Sequence, residues 1–315
     1  MSASIVKVAK RVARYIIGRP IVGRSILVYH RIAKADFDPF NIAITADEFE
    51  SQLARLRSKA VLPLSEFARL NLQKKLPRNA VAITFDDGYA CNAVTAAPIL
   101  ESFGYPATFF IVSDAIERPD EFWWDQLDFI FNAPQFDNAA AIHLLTSRTM
   151  KGGGENIHQN AAPLVKFLTL WGLLRYLPAE ERRRYFEDLC NKMGIERKMR
   201  STHRPMTLSE LRTLASKPLF EIGGHTATHP SLPALARSEQ QREIVRGSRY
   251  LEAVLGKSIR SFAYPFGDWA PATAEILREA GFVCAVTAEH RRVRPRDNQF
   301  ELPRRQALSR NARML

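Results

Sequence analysis

Short runs of apolar and β-branched residues alternate along this chain with stretches that show helical hydrophobic periodicity. The runs typical of buried strands cover residues 25–29, 61–64, 80–85, 107–112, 219–222, 261–264 and 282–287. Helices are predicted between them, over residues 46–59, 65–72, 90–103, 208–215, 239–255 and 272–280. Because parallel strands need crossover connections, this alternation predicts an α/β fold around a parallel sheet. The number of strand–helix units favours a closed or nearly closed barrel over an open sheet.

Residues 117–205 interrupt this rhythm. Glu121-Phe-Trp-Trp-Asp125 opens a stretch of helical character, and residues 163–190 are helical again. At 315 residues the chain is long enough for one barrel-sized domain with an insertion, and equally for two domains. We therefore predict a basic amphipathic N-terminal arm at 1–24 and a barrel over 25–315, interrupted by a mostly helical insertion at about 117–205.

The N-terminal arm carries a large share of the positive charge. The chain has a formal net charge of +12, and residues 1–31 contain seven basic residues and no acidic one. Apolar residues recur in the arm at helical spacing, at Ile5, Val8, Val12 and Ile16. Two interpretations fit: a helix at 1–24 that lies on anionic lipid, or a basic amphipathic helix that packs on the domain.

The same arm bears on location and partners. Basic residues interrupt the stretch that would be the apolar core of a secretory signal, and no small-residue cleavage site follows. We therefore expect a cytoplasmic protein, with peripheral attachment to the inner face of the membrane and export as alternatives. A nucleic-acid partner is not expected, because the aromatic residues are not interleaved with the basic ones.

The segment Val81-Ala-Ile-Thr-Phe-Asp-Asp-Gly88 ends a predicted strand with two adjacent carboxylates, Asp86 and Asp87. Charges at the end of a buried strand are costly unless a metal ion or a proton transfer uses them. Asp-Asp-Gly is also typical of a solvated turn, so this motif alone leaves both interpretations open.

A histidine pair follows another predicted strand, in Glu221-Ile-Gly-Gly-His-Thr-Ala-Thr-His229. On a helical turn, the i, i+4 spacing of His225 and His229 would point both rings to one side. Two imidazoles and one carboxylate make a three-point metal site that leaves coordination positions open for water and substrate.

The carboxyl ends of parallel barrel strands open at one face, where catalytic residues collect. Predicted strands end here in His30, in Asp86 and Asp87, in the His225 and His229 pair, and in Tyr264-Pro-Phe-Gly267. The joint pattern predicts metal ligands, a carboxylate base and aromatic residues at one mouth.

These segments resemble the motifs of a known family. Thr84-Phe-Asp-Asp-Gly88, His225-Thr-Ala-Thr-His229 and Phe262-Ala-Tyr-Pro-Phe-Gly267 look like successive motifs of the NodB-homology polysaccharide deacetylases. Leu27-Val-Tyr-His-Arg31 and Leu302-Pro-Arg304 are similar to segments of one bacterial branch of that family. The resemblance covers about residues 25–115 and 205–308.

The resemblance implies a distorted (β/α) barrel that hydrolyses the N-acetyl group of an amino sugar. It also implies a divalent metal, usually Zn²⁺, with Co²⁺, Ni²⁺ or Mn²⁺ as alternatives. Carried over by position, Asp87, His225 and His229 would hold the metal. Asp86 would then be the general base that takes a proton from the attacking water.

The last motif implies the substrate-binding residues Tyr264, Pro265 and Phe266. The backbone N–H of Phe266 would help to stabilise the tetrahedral oxyanion.

The chain departs from the family pattern at two places. Many members carry, two residues before the motif proline, an arginine that orients the catalytic carboxylate; here Ala263 stands there, and Asp268 and Arg304 are polar candidates for the contact. The usual C-terminal Leu-x-His, whose histidine protonates the leaving amine, is also missing. His30 is the candidate general acid, with a hydrogen-bonded structural histidine as the alternative interpretation.

The predicted function is a metal-dependent hydrolase that removes N-acetyl or similar small acyl groups from amino sugars. Its partner would be an N-acetylated glycan or glycolipid, either a polysaccharide or a lipid-linked saccharide. The two departures motivate one alternative, a non-catalytic carbohydrate-binding protein on the same barrel. A carboxylate base beside a complete metal triad argues against that alternative, because binding alone does not need it.

Overall fold

A computed structural model describes residues 23–118, 120–149 and 162–308. Nearly all of the predicted arm at 1–24 therefore lies outside the described residues. The chain divides into two compact units, a barrel unit of described residues 23–118 and 205–308 and a helical unit within 119–204. None of the described helices has the length and apolar character needed to cross a bilayer.

The strands are short, and most are fully buried. They are β1 (Ser25–Tyr29), β2 (Arg31–Ile32), β3 (Ala43–Ile44), β4 (Ala60–Val61), β5 (Ala80–Phe85), β6 (Ala107–Ile111), β7 (Phe220–Gly224), β8 (Ser261–Ala263), β9 (Cys284–Val286) and β10 (Arg305–Gln306). Eight of them form one parallel sheet in the order β10-β1-β5-β6-β7-β8-β9, with β4 also paired to β5. β2 and β3 form a separate parallel pair.

The helices alternate with these strands in the barrel unit and follow one another in the helical unit. They are α1 (Ala46–Ala54), α2 (Leu64–Leu72), α3 (Ala97–Phe103), α4 (Trp123–Phe131), α5 (Asn138–Thr149), α6 (Pro163–Leu174), α7 (Ala179–Met193), α8 (Leu208–Ser216), α9 (Arg237–Leu255) and α10 (Pro271–Glu279). This arrangement of parallel strands and crossover helices confirms the predicted (β/α)-barrel class.

The last described segment brings the two ends of the sheet together. The backbone of residues 299–302 exchanges hydrogen bonds with β9, including Ala285 N–H to Gln299 O at 2.8 Å and Leu302 N–H to Ala285 O at 3.1 Å. β10 then pairs with β1, Leu27 opposite Arg305. One stretch, 299–306, therefore spans from the last strand of the barrel to the first.

The two faces of the sheet carry different cores. Ile83 and Phe85 of β5 join a cluster with residues of the surrounding helices, whereas Ala80 and Ala82 join a second cluster. The second cluster also draws on β1, β6, β8 and β9, through Ile26, Phe110, Ala263, Cys284 and Val286. Side chains alternate along a strand, so β5 is apolar on both faces, as expected for a parallel strand covered on both sides.

Several predicted boundaries are wrong. The helix predicted at 46–59 ends at Ala54, because Arg55, Leu56 and Lys59 form hydrogen-bonded turns instead. The strand predicted at 61–64 is Ala60–Val61, and Leu64 already begins α2.

The first half of the predicted helix at 90–103 is π-helical rather than α-helical. Asn92–Ala96 is a π-helical turn, and α3 begins after it. Pro98 offers no N–H to the carbonyl one helical turn earlier, and its ring would clash with that carbonyl. A π turn just before the proline relieves this conflict.

The helical unit has a buried aromatic centre of its own. Phe122 stacks on Trp124 with ring centroids 5.0 Å apart, and Trp123 stacks on Trp171 of α6 at 6.0 Å. Arg200 forms ion pairs with Glu121 at 2.7 Å and Asp128 at 2.6 Å.

Candidate active site

The two aspartates follow β5 directly and diverge there. The Asp86 N–H continues the strand ladder by donating to the Tyr29 carbonyl at 2.9 Å. Asp87 is in the left-handed region at φ 73°, an uncommon conformation that turns the chain sharply. The Asp87 carboxylate faces His225 and His229, while both Asp86 carboxylate oxygens face Arg304.

The histidine pair lies on an irregular loop after β7, so the predicted helical turn is wrong. Thr226 and His229 both have positive φ, at 65° and 59°. The Thr226 carbonyl accepts from Ser113 N–H at 3.2 Å, and the Thr226 hydroxyl accepts from His229 N–H at 2.9 Å. Tertiary hydrogen bonds, rather than helical spacing, bring the rings to one side.

Helix α9 fixes this loop from outside. The Glu243 carboxylate accepts from the N–H groups of Ala227 and Thr228, at 3.2 and 2.8 Å, and from the Thr228 hydroxyl at 3.0 Å. Gly247, one turn further along α9, lets the helix approach closely, since a Cβ there would lie 2.8 Å from the Thr226 carbonyl carbon. Sequence reasoning missed both residues.

Asp87, His225 and His229 form a buried group whose ligand atoms all lie within 4.8 Å of one another. The Nε2 atoms of His225 and His229 lie 3.4 and 3.5 Å from Oδ1 of Asp87. Ligands of one tetrahedral ion, each bound at about 2.0–2.2 Å, stand roughly 3.3–3.6 Å apart. The spacings of the two histidines from Asp87 therefore fit a divalent metal ion.

The orientation of the His225 ring also fits a ligand. Its Nδ1 lies 2.7 Å from the Ala263 carbonyl, which assigns the proton to Nδ1 and leaves Nε2 as the electron-pair donor. Ala263 occupies the position of the family's arginine, and its backbone carbonyl thus orients a histidine of the predicted metal site. The His229 ring packs edge-on against Phe266, with centroids 4.5 Å apart.

Arg304 holds Asp86 by two parallel hydrogen bonds. Its Nη1 donates to Oδ1 and its Nη2 to Oδ2 of Asp86, both at 2.6 Å, and both side chains are buried. Burial raises the pKa of Asp86, but the charge and the hydrogen bonds of Arg304 outweigh it and lower the pKa to about 2. The orienting contact expected from Arg304 is present. Asp268, the other candidate, accepts instead from the Ser231 hydroxyl at 2.8 Å.

His30 also lies near the Asp86 carboxylate. Its Nε2 is 3.9 Å from Oδ2 of Asp86, and its side chain keeps 20% exposure. The His30 carbonyl accepts from the Asn92 side-chain amide at 2.7 Å, which fixes the backbone. A partly exposed imidazole therefore lies beside the candidate base.

The three predicted substrate-binding residues occupy different environments. Tyr264 is fully buried and its hydroxyl donates to the Phe300 carbonyl at 2.9 Å, and Pro265 is buried as well. Phe266 is half-buried, has φ 59° and contacts His229. Of the three, the structure places Phe266 against a histidine of the predicted metal site.

The sequence profile of the polysaccharide deacetylases matches residues 73–143 and 194–285, which is more than half of the chain. A poly-β-1,6-N-acetyl-D-glucosamine N-deacetylase of Staphylococcus aureus is 22% identical over 300 residues, spanning 88% of this chain and 76% of that protein.

Two solved structures share the fold. IcaB from Ammonifex degensii superposes with a TM-score of 0.59 at 20% identity, over 91% of this chain and 92% of that one. Streptococcus pyogenes deacetylase PplD, in complex with acetate, superposes with a TM-score of 0.58 at 18% identity, over 91% of this chain and 93% of that one. The fold, the aspartate and histidine motifs and the matched profile lead to one conclusion: this chain belongs to the polysaccharide deacetylase family and is a hydrolase of that type.

Proposed function

We propose that this protein is a metal-dependent N-deacetylase that hydrolyses the acetamide group of N-acetylglucosamine units in a polysaccharide. The observation that carries the proposal is the juxtaposition of a buried Asp87–His225–His229 group with a second carboxylate, Asp86, that Arg304 holds away from it. The match to a deacetylase of poly-β-1,6-N-acetyl-D-glucosamine supports this class of substrate.

Asp87, His225 and His229 would hold the metal, and we propose Zn²⁺. Two imidazole nitrogens and one carboxylate oxygen are donors that Zn²⁺ accepts readily, and its preferred tetrahedral geometry matches their spacing. When bound, the ion would supply Lewis-acid chemistry, which polarises an amide carbonyl and acidifies water.

Asp86 is the proposed general base. Its pKa of about 2 keeps it ionised at neutral pH, so its oxygens accept a proton from the attacking water. Arg304 holds both oxygens, so the carboxylate plane is fixed before substrate arrives. The backbone N–H of Phe266 is proposed to donate to the oxyanion that develops on the acetyl group.

His30 is the proposed general acid. As the carbon–nitrogen bond breaks, the leaving nitrogen needs a proton, and His30 Nε2 lies beside Asp86 at 3.9 Å. Water and the acetamide are consumed, and acetate and a free amino sugar are formed. The non-catalytic alternative loses one of its two motives, since Arg304 supplies the contact that Ala263 lacks.

The experiment is an assay of acetate release from β-1,6-linked N-acetylglucosamine oligomers by the full chain, with and without a chelator. We expect metal-dependent release that stops in Asp87→Ala and in His225→Ala. Undiminished acetate release by either variant would contradict the assignment of these residues as metal ligands. Sugar binding by metal-loaded protein without any acetate release would instead establish the carbohydrate-binding function.

We further propose, from the sequence of the arm at 1–24, that the protein acts in the cytoplasm at the inner face of the membrane. The seven basic residues of 1–31, six of which lie in the arm, support attachment to anionic lipid. Cell fractionation of the full chain and of a chain lacking residues 1–24 tests this proposal. Equal partitioning of both into the soluble fraction, or recovery outside the cytoplasm, would contradict it.

A further inference from the structure

An arginine-lined cavity lies at the end of the barrel opposite the aspartates and histidines. It has a volume of about 480 Å³, and its lining includes Arg24, Arg78, Arg291, Arg292 and Arg294. Arg24 precedes β1 and Arg78 precedes β5, so the cavity is at the amino ends of the strands. The catalytic residues follow the carboxyl ends, a six-residue strand or about 20 Å away.

The backbone around this cavity is fixed by specific contacts. Arg24 donates twice to the Leu76 carbonyl, at 3.0 Å from Nε and 2.7 Å from Nη2. Its own carbonyl accepts from Val293 N–H at 3.1 Å, which ties the loop after β9 to the start of β1. At Gly23, with φ +76°, a Cβ would meet Arg292 Cδ at 3.3 Å, so a glycine lets this arginine pack against the chain.

The positive charges of the cavity are only partly balanced. Arg291 pairs with Asp297 at 2.7 Å and with Glu289 at 2.9 Å. Within residues 23–118, 120–149 and 162–308, no carboxylate forms an ion pair with Arg78, Arg292 or Arg294. Arg24 contacts a carbonyl rather than an acid. Like charges are therefore gathered without counter-charges, which costs free energy that a bound anion would recover.

Arg305 adds to this excess of charge. One of its terminal nitrogens, Nη1, is buried and has no hydrogen-bond partner among the described residues. Burial and the nearby charge of Arg292 lower the pKa of the Arg305 guanidinium from its ordinary value. Arg305 begins β10, so the excess of positive charge extends from the cavity to this strand.

The chemistry of the cavity selects a phosphate group. Guanidinium groups present planar pairs of N–H donors that match phosphate oxygens, and five arginines line this cavity. The product of the proposed reaction carries an ammonium group, which these arginines would repel, so the cavity is not a second site for the deacetylated glycan. We propose that this arginine cavity is a binding site for a phosphate group, separate from the active site and not required for hydrolysis.

The test is a charge-neutralising triple variant, Arg78→Gln, Arg292→Gln and Arg294→Gln, in the full chain. The matched control is Arg57→Gln, Arg242→Gln and Arg249→Gln, which removes the same charge from exposed arginines elsewhere. Calorimetric titration with inorganic pyrophosphate in phosphate-free buffer should show binding by the wild type and the control. The cavity variant should lose on the order of tenfold or more in affinity. Acetate release should be unchanged in both variants, which verifies folding.

A second probe distinguishes a lipid headgroup from a free phosphate. Vesicles of phosphatidylglycerol with phosphatidylcholine, and of phosphatidylcholine alone, are sedimented with each protein. If the cavity variant binds the anionic vesicles more weakly than the control does but keeps its affinity for pyrophosphate, the ligand is a lipid headgroup. If it loses only pyrophosphate binding, the ligand is a soluble phosphate. Equal behaviour of the two variants with both probes, or no binding by the wild type, would overturn the proposal.

Discussion

Asp86 owes its charge state to a residue 218 positions further along the chain, Arg304. The pair is buried, and both carboxylate oxygens receive a charge-assisted hydrogen bond. Removing one partner from such a pair typically costs about 3–5 kcal/mol, because the other charge stays buried and unpaired. A conservative substitution is therefore more informative than a truncation.

Arg304→Lys keeps the charge but replaces the planar fork by a single ammonium group. We expect kcat for acetate release to fall by about tenfold or more, since Asp86 is no longer held at both oxygens. KM and bound metal, measured by elemental analysis, should stay at wild-type values because Asp87, His225 and His229 are untouched. Arg305→Lys, at the neighbouring position where β10 begins, is the control and should retain wild-type kcat. An unchanged kcat in Arg304→Lys would contradict the orienting role.

His30→Gln tests proton donation to the leaving group. Hydrolysis of the sugar amide should fall by roughly 10²- to 10⁴-fold, because an amine leaves poorly without a proton. An aryl acetate ester needs no such proton, so its hydrolysis should change little. His143→Gln, at an exposed position of α5, serves as the control. Equal losses on both substrates would show that His30 is structural.

At the scale of elements, α9 positions the histidine loop through Glu243 and through its close approach at Gly247. Gly247→Ala would place a methyl group 2.8 Å from the Thr226 backbone. Helix and loop must then separate, at a cost of about 1–3 kcal/mol in the free energy of unfolding. We expect a lower melting temperature and weaker Zn²⁺ binding, measured by calorimetry and by competition with a chelating dye.

Gly172→Ala in α6 provides a control of opposite sign. A Cβ there meets nothing within 4 Å, so the substitution should stabilise the helix by roughly 0.5–1 kcal/mol. If Gly247→Ala also raised stability and kept its metal affinity, the close packing of α9 on the loop would not matter for the site.

Sequence periodicity predicted the long elements well and the local geometry poorly. β1 and β5 have the predicted bounds, because strands apolar on both faces give an uninterrupted signal. β2, β3 and β10 are two residues long and too short for any period to show. The positive φ angles of Thr226 and His229 depend on tertiary hydrogen bonds, which no local pattern reports. Similarly, only the closed barrel brings Arg304 to Asp86.

At the scale of the whole molecule, a buried thiol and buried tyrosine hydroxyls make the folded state less stable at alkaline pH. Burial, with the nearby charge of Glu221, raises the pKa of the Cys284 thiol to about 12, and burial raises the pKa of Tyr29 and Tyr264 as well. In the unfolded chain the Cys284 thiol ionises near its ordinary pKa of 9.0, while the folded chain keeps it neutral. Ionisation therefore favours the unfolded chain as pH rises from 9 toward 12.

We expect the free energy of unfolding, measured with urea between pH 8 and pH 11, to fall above about pH 9, the thiol alone contributing up to about 1.4 kcal/mol per pH unit. Cys284→Ala should be less stable at pH 8, because it leaves a small cavity, but its stability should fall less steeply above pH 9. Identical slopes for the two proteins would show that the buried thiol does not govern alkaline unfolding.

The closure of the barrel by residues 299–306 has a consequence for folding during synthesis. A ribosome making this chain has completed both aspartates and both histidines long before it reaches Arg304. Until that arginine leaves the exit tunnel and docks against β1 and β9, Asp86 has no guanidinium to hold it. We therefore expect the nascent chain to be catalytically silent, with activity beginning only when synthesis of the barrel is complete.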